Sequence, residues 1–348
     1  MTGVEEKPVV AYLGPEGSYT HQAALSTFPP QDPPTTTLTP LITIQDVFSA
    51  VQSGTAYRGV VPFENSSNGS VLFTLDLFAD LEGKHADILV CDEAYVAVRH
   101  CLLGRPSPTS TSTDTSTGAD KDLSHIKRIY SHPQAWGQCK NFLTTHFRNV
   151  EKIDVSSTSR AAQIAAQDET GTSAALSSPV AAGIFGLQVL AEGVNDRLGN
   201  TTRFLVLRHG SSSSAQQMPG LVQAKDQGDT EMKSKDEHWK SLVTFTVQHS
   251  NPGALANCLT AFSAQGINLT SINTRPSGDR NWHYVFFVEL KGRSRRDEGD
   301  GGEGEQRGAV DRALEGLGKV CSGYRWLGSW ENRLDDDEKK EEEDGGSG

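Results

Sequence analysis

The chain has 348 residues, a length that predicts two or three domains. With 36% hydrophobic and 22% charged residues, its composition is that of a globular protein and excludes a largely disordered chain. The formal net charge of −12, half of it from the acidic run 335–344, argues against binding to nucleic acid, which normally requires a basic surface.

Strands and helices alternate in the first part of the chain. The strands predicted from apolar runs are 9–13, 59–63, 88–98, 126–130, 152–155, 174–176 and 203–207. The helices predicted from apolar periodicity are 44–51, 134–147, 159–167 and 179–185. This alternation predicts an α/β body with largely parallel sheets. Because the pattern restarts after the polar stretch 105–122, we expect two lobes with a cleft between them.

A second pattern follows residue 240. The predicted order is strand, helix, strand, strand, helix, strand, over 242–247, 253–264, 268–274, 283–290, 310–320 and 324–330. This βαββαβ order is the split ferredoxin-like motif, an α+β fold. By analogy at the level of the fold, a module of this kind beside an α/β body is more often a sensor or dimeriser than a catalytic unit.

Polar stretches set the predicted domain boundaries. The predicted units are the α/β body 8–208 with an insertion near 105–122, the polar linker 209–239, the α+β domain 240–333 with a loop expansion at 292–308, and the disordered acidic tail 334–348.

Polar residues follow several predicted strands, at the end where open α/β sheets bind ligands. The four segments are 14–20, 64–70, 131–138 and 199–204. Arg203 can pair with a carboxylate in a fork geometry, and Thr202 can donate a hydroxyl proton. Together the segments predict an anion-binding cleft, although 14–20 can equally be an ordinary turn with Ser18 as the helix N-cap.

Several other kinds of site are disfavoured. The sequence contains no P-loop, nucleophile elbow or HExxH motif, and His132 and Cys139 have no third ligand at metal-binding spacing. We therefore expect a site that binds a small polyanion without metal or cofactor. The five cysteines are widely spaced, as in reduced thiols. Since no signal sequence and no apolar run of the ~18 residues that span a bilayer is present, we expect a cytoplasmic protein without membrane contact.

At these residues the chain closely resembles prephenate dehydratase, an enzyme family of phenylalanine biosynthesis. The matching stretches are YLGPEGSY at 12–19, PFENSSNG at 62–69, SHPQ at 131–134 with Gln138, and TRF at 202–204. Residues 251–255 and 267–276 resemble the ACT domain that binds phenylalanine in this family. The family often has Glu-Ser-Arg-Pro where this chain has Asn-Thr-Arg-Pro at 273–276.

The resemblance implies both a fold and a reaction. The fold is a pair of α/β lobes like those of a periplasmic binding protein, with the substrate between them and a regulatory ACT domain at the C-terminus. The reaction is that of a carbon–oxygen lyase, in which prephenate loses CO2 and water to give phenylpyruvate. Aromatisation drives the reaction, so no cofactor is implied.

The resemblance also implies roles for particular residues. Thr202 matches the family's essential threonine, the donor to the departing hydroxyl group. The residues implied to bind or orient the substrate are Asn65, Ser131 and Gln138, with Arg203, Ser18 and Ser66 as further carboxylate contacts and Glu64 as an organiser of hydrogen bonds. The residues implied to bind phenylalanine are Asn251, Gly253, Ala254, Leu255, Asn268, Arg275 and Pro276.

Two alternatives remain open from the sequence. An arogenate dehydratase would share the same motifs, and only the two substrates would separate it from a prephenate dehydratase. A non-catalytic protein that senses an amino acid could be built from the same domains, but the intact Thr202 disfavours it. Because ACT modules commonly pair with one another, we also expect a homodimer or homotetramer.

Overall fold

The computed structural model describes residues 7–32, 34–106, 123–197, 199–211, 238–295 and 308–334. The predicted insertion 105–122, linker 209–239, loop expansion 292–308 and tail 334–348 lie wholly or largely outside these residues. Within the described ranges, no helix is both long enough and apolar enough to cross a membrane.

The described chain forms fifteen strands and nine helices. The strands are β1 (Val9–Leu13), β2 (Thr37–Leu41), β3 (Arg58–Asn65), β4 (Gly69–Ser70), β5 (Ile88–Ala97), β6 (Cys101–Gly104), β7 (Arg128–Ser131), β8 (Glu151–Asp154), β9 (Ser173–Ser177), β10 (Gln188–Ala191), β11 (Thr201–His209), β12 (Trp239–Thr246), β13 (Leu269–Pro276), β14 (Tyr284–Lys291) and β15 (Gly323–Glu331). The helices are α1 (Tyr19–Thr27), α2 (Ile44–Gln52), α3 (Leu72–Ala79), α4 (Pro133–Gln138), α5 (Lys140–His146), α6 (Thr158–Gln167), α7 (Pro179–Phe185), α8 (Ala254–Ser263) and α9 (Ala309–Gly318).

Two mixed sheets form the two lobes of the α/β body. The first has the order β2-β1-β3-β11-β5 with β4 beside β3, and the second has the order β10-β6-β9-β7-β8. The prediction of largely parallel sheets is wrong, because β11 pairs antiparallel with both β3 and β5, and β6 with both β9 and β10. The chain leaves the first lobe along β5 and returns to it along β11, so the returning strand runs against its neighbours.

The two crossings between the lobes are hydrogen-bonded to each other. The backbone N–H of Val98 donates to the carbonyl of Asn200 at 2.7 Å, and that of Val194 donates to the carbonyl of His100 at 2.9 Å. The side chain of Asn195 accepts from the N–H of His100 at 2.6 Å and donates to the carbonyl of Val98 at 3.1 Å. These bonds hold the two connecting segments side by side at the cleft.

The helix predicted over 134–147 is divided at Cys139 into α4 and α5. The break coincides with a cap, since the carboxylate of Asp196 accepts from the backbone N–H groups of Lys140 and Asn141, both at 2.9 Å. A carboxylate at this position satisfies donors that a helix start leaves unpaired. The same contact fastens the second crossing segment to the helices of the second lobe.

The C-terminal domain is a four-stranded antiparallel sheet, ordered β13-β14-β12-β15, with α8 and α9 on one face. Its other face packs on the first lobe. Leu242, Phe287 and Trp330 share one buried cluster with Leu205 and Leu207 of β11. The predicted fold class, a two-lobed α/β body followed by a βαββαβ domain, is confirmed.

Gly328 lies where β15 of the C-terminal domain crosses β5 of the first lobe. Its φ of 130° belongs to a backbone region that side chains rarely adopt, and the pairing of β15 with β12 is irregular there. A Cβ at this position would overlap the carbonyl group of Val90. A bulge with glycine therefore permits the close approach of the two domains.

We predict that Gly328→Ala lowers the free energy of unfolding by about 3 kcal/mol or more, because overpacking adds to backbone strain. Urea denaturation of the purified variant measures this loss. Gly183→Ala is the matched control, since Gly183 is exposed in α7 and a Cβ added there would meet open space. Equal stability of the two variants would contradict the packing described here.

Candidate active site

Thr202 and Asn65 are hydrogen-bonded where β3 ends and β11 begins, in the interior of the first sheet. They lie opposite each other in the pairing of β11 with β3. The amide nitrogen of Asn65 donates to the Thr202 hydroxyl at 2.9 Å and to the Asn200 side-chain oxygen at 2.8 Å. Because the threonine oxygen accepts a hydrogen bond from Asn65, its own proton is available to another acceptor.

The orientation of the Asn65 amide is fixed by the turn that follows β3. Its side-chain oxygen accepts from the backbone N–H groups of Ser67 and Asn68, both at 3.0 Å. The amide cannot rotate to place its oxygen against Thr202 without losing both bonds. The polar run after β3 thus serves to present one N–H group to the threonine hydroxyl.

A cavity of about 500 Å³ lies next to this pair, between the lobes. Three segments form its wall: the turn after β3, helix α4, and the connection from β10 to β11. The lining residues are Ser67, Asn68, Gln134, Gly137, Gln138, Asn195, Asp196, Arg197 and Asn200. Since Asn200 both lines the cavity and accepts from Asn65, the Thr202–Asn65 pair lies beside it.

Gln138 is held at this wall by a buried histidine. The Nε2 atom of His100 is 2.7 Å from the side-chain oxygen of Gln138, and its Nδ1 atom is 3.1 Å from the Tyr19 hydroxyl. Burial lowers the pKa of His100 below its usual value and outweighs the opposing effect of the bond to Gln138. A neutral ring protonated on Nε2 satisfies both contacts and leaves the Gln138 amide protons to serve as donors.

Charge in the cavity comes from the connection before β11. Arg197 contributes an exposed guanidinium to the wall. The carboxylate of the neighbouring Asp196 is engaged by α5, and its backbone N–H donates to the carbonyl of Gln138 at 2.7 Å. The cavity wall therefore presents a cation, five side-chain amides and the hydroxyl of Ser67 to a small anion.

The three serines of the predicted site form hydrogen bonds with the protein backbone. The hydroxyl of Ser131 is fully buried and donates to the carbonyl of Leu176 at 2.9 Å. Ser18 is the N-cap of α1, accepting from the N–H of His21 at 3.2 Å. The hydroxyl of Ser66 accepts from the N–H of Thr201 at 2.9 Å, which ties the turn after β3 to β11. Glu64 lies half-buried on β3, and its role as an organiser stays a prediction.

The prediction that Arg203 contacts the substrate is corrected by the structure. Successive side chains of a strand point to opposite faces, so Arg203 cannot share the face of Thr202. Arg203 is 7% exposed, and its guanidinium pairs with Glu93 of the first lobe and Glu289 of the C-terminal domain. The cation at the cavity wall is Arg197 instead.

A second cavity, of about 480 Å³, lies in the C-terminal domain at the start of α8. Four of the predicted effector residues, Asn251, Gly253, Ala254 and Leu255, line it. The rest of its wall is Val247, His249, Ala256, Thr274, Tyr284 and Phe286. It combines apolar and aromatic side chains with a helix N-terminus, where backbone N–H groups favour a carboxylate.

The remaining predicted effector residues do not line this cavity. Arg275 forms a two-bond ion pair with Asp76 of α3 in the first lobe, one bond being 3.0 Å. The backbone carbonyl of Asn268 accepts from Lys291, and Pro276 pairs with Tyr284 in the sheet. The prediction for Arg275 is therefore corrected: it joins two domains rather than lining the cavity.

The sequence interpretation overlooked Asn195, Arg197 and His100, and it included Asn200 and Tyr19 only as members of the segments 199–204 and 14–20. Asn195 and Arg197 belong to a polar run shortly before the Thr-Arg-Phe motif, and that position was the available signal. Tyr19 and His100 lie far apart in sequence, and nothing in the local pattern marks His100 as a partner of Gln138. Contacts of this kind are visible only in the folded chain.

Comparisons with known proteins give consistent matches over most of the chain. The family model for prephenate dehydratase matches residues 10–212, and the model for the ACT domain matches residues 241–299. A bifunctional chorismate mutase/prephenate dehydratase of Aquifex aeolicus is 34% identical over 95% of this chain and 75% of its own length. A probable prephenate dehydratase of Saccharomyces cerevisiae is 33% identical over 80% of this chain and 86% of its own.

A solved structure matches the whole arrangement of domains. It is a prephenate dehydratase of Arthrobacter aurescens in complex with L-Phe, with a TM-score of 0.69 and 29% sequence identity. The match covers 93% of this chain and 90% of that one. The similarity therefore includes both lobes and the C-terminal domain.

We predict that His100 makes the folded protein less stable at acidic pH. Because its folded pKa is lowered, the unfolded chain binds more protons below the usual value near 6.5, and stability falls as pH decreases from there. His100→Gln should flatten this decline. The measurement is the thermal midpoint of both proteins between pH 7.5 and pH 5. The contributions of His21 and His85 are the same in both proteins, so the difference between the two curves reports on His100 alone. Thermal midpoints that fall equally with pH in both proteins would contradict a buried neutral ring at His100.

Proposed function

The chain belongs to the prephenate dehydratase family and has a C-terminal ACT domain, and its activity is the conversion of prephenate to phenylpyruvate, CO2 and water. From that premise we propose that the interlobe cavity is the active site and that Thr202 is the catalytic residue. One observation carries this proposal: Asn65 donates both to the Thr202 oxygen and to Asn200, which lines the cavity, so the threonine proton is left for another acceptor beside that wall.

The reaction requires catalysis mainly at the C–O bond of the substrate. The C–C bond to the ring carboxylate breaks, and its electron pair enters the ring as CO2 departs. The C–O bond at the opposite ring carbon breaks as the ring becomes aromatic. The hydroxyl group leaves with the electron pair of the C–O bond and takes up one proton from solvent to form water. Because the new aromatic ring stabilises the product, the enzyme's task is to bind a dianion and stabilise the departing oxygen.

Thr202 suits the second task as a hydrogen-bond donor. A threonine hydroxyl is too weak an acid to be ionised at neutral pH, so it acts through a hydrogen bond that strengthens as negative charge builds on the departing oxygen. The bond from Asn65 polarises the same hydroxyl and fixes its direction. Donors that are oriented before the charge develops are an effective means of stabilising a transition state.

Binding of the dianion is assigned to the cavity wall. Arg197 supplies positive charge for a carboxylate, which a guanidinium can bind through two parallel hydrogen bonds. The amide of Gln138, oriented by His100, and the side chain of Asn195 supply further hydrogen-bonding groups. Ser131 supports this wall from within the second lobe, one residue before the N-cap of α4.

The cavity at α8 is proposed as the phenylalanine site. Phenylalanine is an amino acid with an aromatic ring, and this cavity offers the side chains of Phe286 and Val247 beside the helix N-terminus. The effector carboxylate is expected at the N–H groups that follow Gly253, whose φ of 78° forms the turn into the helix. The related Arthrobacter structure is a complex with L-Phe, which supports phenylalanine as the ligand.

A homodimer or homotetramer joined through the C-terminal domains is also proposed. Light scattering of the purified chain, with and without phenylalanine, measures the mass directly. A monomer under both conditions would contradict this part of the proposal.

We predict that Thr202→Ala lowers kcat on prephenate by a factor of about 100 or more, because one transition-state donor is lost. Thr202→Ser is the matched control, since it keeps the hydroxyl and should stay within about a factor of ten. Phenylpyruvate absorbance at alkaline pH follows the reaction of both variants with prephenate. Arogenate is the second substrate, and its product, phenylalanine, is measured by amino-acid analysis. A wild-type protein that makes no phenylpyruvate would refute the activity, and an active Thr202→Ala variant would refute the role of Thr202.

We predict that Gly253→Val weakens phenylalanine binding by a factor of ten or more. Valine at a φ of 78° is strained and would displace the turn that presents the helix N–H groups. Calorimetry measures the affinity, and initial rates without phenylalanine report on the catalytic lobes. Gly266→Val is a matched control, since Gly266 has a φ of 70° and lies at the other end of α8. Equal affinities of the two variants would place the effector elsewhere.

A further inference from the structure

Four charged side chains are buried together between the first lobe and the C-terminal domain. Glu93 on β5 and Arg203 on β11 come from the lobe, and Lys240 on β12 and Glu289 on β14 come from the domain. Each is buried, with Arg203 the most exposed of the four at 7%. The charges of the two cations and two anions sum to zero. Attraction between buried opposite charges offsets the large cost of removing them from water.

The contacts in this cluster cross the domain boundary in both directions. Arg203 donates through Nε to Glu93 at 2.8 Å and through Nη2 to Glu289. Lys240 donates to the other oxygen of Glu93 at 3.0 Å and to the Tyr95 hydroxyl at 3.0 Å. Arg203 is therefore the member that connects a lobe carboxylate to a carboxylate of the C-terminal domain.

The charges persist inside the interface. Burial acts to raise the pKa of Glu93, but the positive charges of Arg203 and Lys240 outweigh it and hold that pKa below its usual value. The carboxylates of Glu93 and Glu289 in turn raise the pKa of Arg203, against the effect of burial. The guanidinium is thus bonded on one side to a carboxylate of the first lobe and on the other to a carboxylate of the C-terminal domain, which fixes its position between the domains.

Arg203 is also covalently adjacent to the proposed catalytic residue. Phe204 and Val206 face the cluster that contains α1, whereas Leu205 and Leu207 face the C-terminal domain. Thr202 and Arg203 lie in a regular part of β11, which pairs with β5 without a register shift from Thr201 to Val206. The extra residue in the pairing of β11 with β3 is Phe63, on β3. Because consecutive residues of a regular strand share a fixed backbone geometry, the position of Thr202 depends on where Arg203 is held.

We propose that Arg203 is a positioning residue, which fixes the strand carrying Thr202 and makes its placement depend on Glu289 of the C-terminal domain. This inference rests on the proposed catalytic role of Thr202. Movement of the C-terminal sheet shifts Glu289, and Arg203 transmits that shift to the backbone beside the threonine. The cluster thereby offers a direct route from an effector site in the C-terminal domain to the active site.

Two variants test the proposal with the full-length chain. Glu289→Gln keeps the shape of the side chain and removes its charge. Arg203→Lys keeps the charge but cannot donate to both carboxylates in a fork. We expect each to lower kcat about tenfold with KM within twofold of the wild type, because neither residue contacts the cavity. A KM that rises in Arg203→Lys while kcat is retained would overturn the proposal and favour a substrate contact.

The matched control is Arg333→Gln. Arg333 pairs with Asp92 at 3.1 Å and belongs to the same domain interface, but its side chain is not bonded to Arg203. This variant should retain wild-type kcat. Thermal midpoints of all three variants identify any loss of folded protein, and a lowered midpoint with unchanged kcat in Glu289→Gln would show a structural role and overturn the inference.

A double-mutant cycle separates this inference from the function on which it rests. If Glu289 acts through Thr202, Glu289→Gln should change the residual kcat of Thr202→Ala by less than twofold. A further tenfold loss in that background would show that Glu289 acts elsewhere and would overturn the inference. If Thr202→Ala itself retains wild-type kcat, the proposed role of Thr202 fails; if only the Glu289 and Arg203 variants retain it, this inference alone fails.

Discussion

The alternation of side chains along β11 is the constraint on which the functional interpretation depends. This strand returns from the second lobe and lies between β3 and β5, in the middle of the first sheet. Its residues must therefore point in turn to the α1 face and to the C-terminal domain. Thr202 and Arg203 are neighbours in sequence, but each belongs to a different face and performs a different task.

Three further features complete the proposed active site around β11: the turn after β3, the crossing segments and a buried histidine. The turn after β3 fixes the amide of Asn65, and this amide holds the Thr202 hydroxyl near the start of β11. The crossing segments bring Asn195 and Arg197 to the same cavity, and a buried histidine holds Gln138 on the opposite wall. The Thr202 hydroxyl and the Gln138 amide are oriented by protein contacts before a substrate enters, which is what stabilisation of a developing charge requires.

Much of the fold could be predicted from the sequence, because apolar runs and their periodicity report burial directly. The strands of the body and the βαββαβ order of the C-terminal domain are of this kind. The roles of Asn65, Gln138 and Thr202 follow from the resemblance instead and stay predictions. The placement of Arg203 was predicted wrongly, although strand alternation and the apolar Leu205 and Leu207 indicated a covered face. The contacts of His100 and Arg275 could not be predicted, since their partners lie 38 and 199 residues away.

The most direct measurement is a crystal structure of the full chain with an unreactive dicarboxylate analogue of prephenate. We expect the analogue to occupy the interlobe cavity, with the Thr202 hydroxyl about 2.7–3.0 Å from the oxygen that stands in for the departing group. Asn65 should still donate to Thr202, and a carboxylate should meet Arg197. An analogue bound outside this cavity, or a carboxylate bound to Arg203, would contradict the proposed active site.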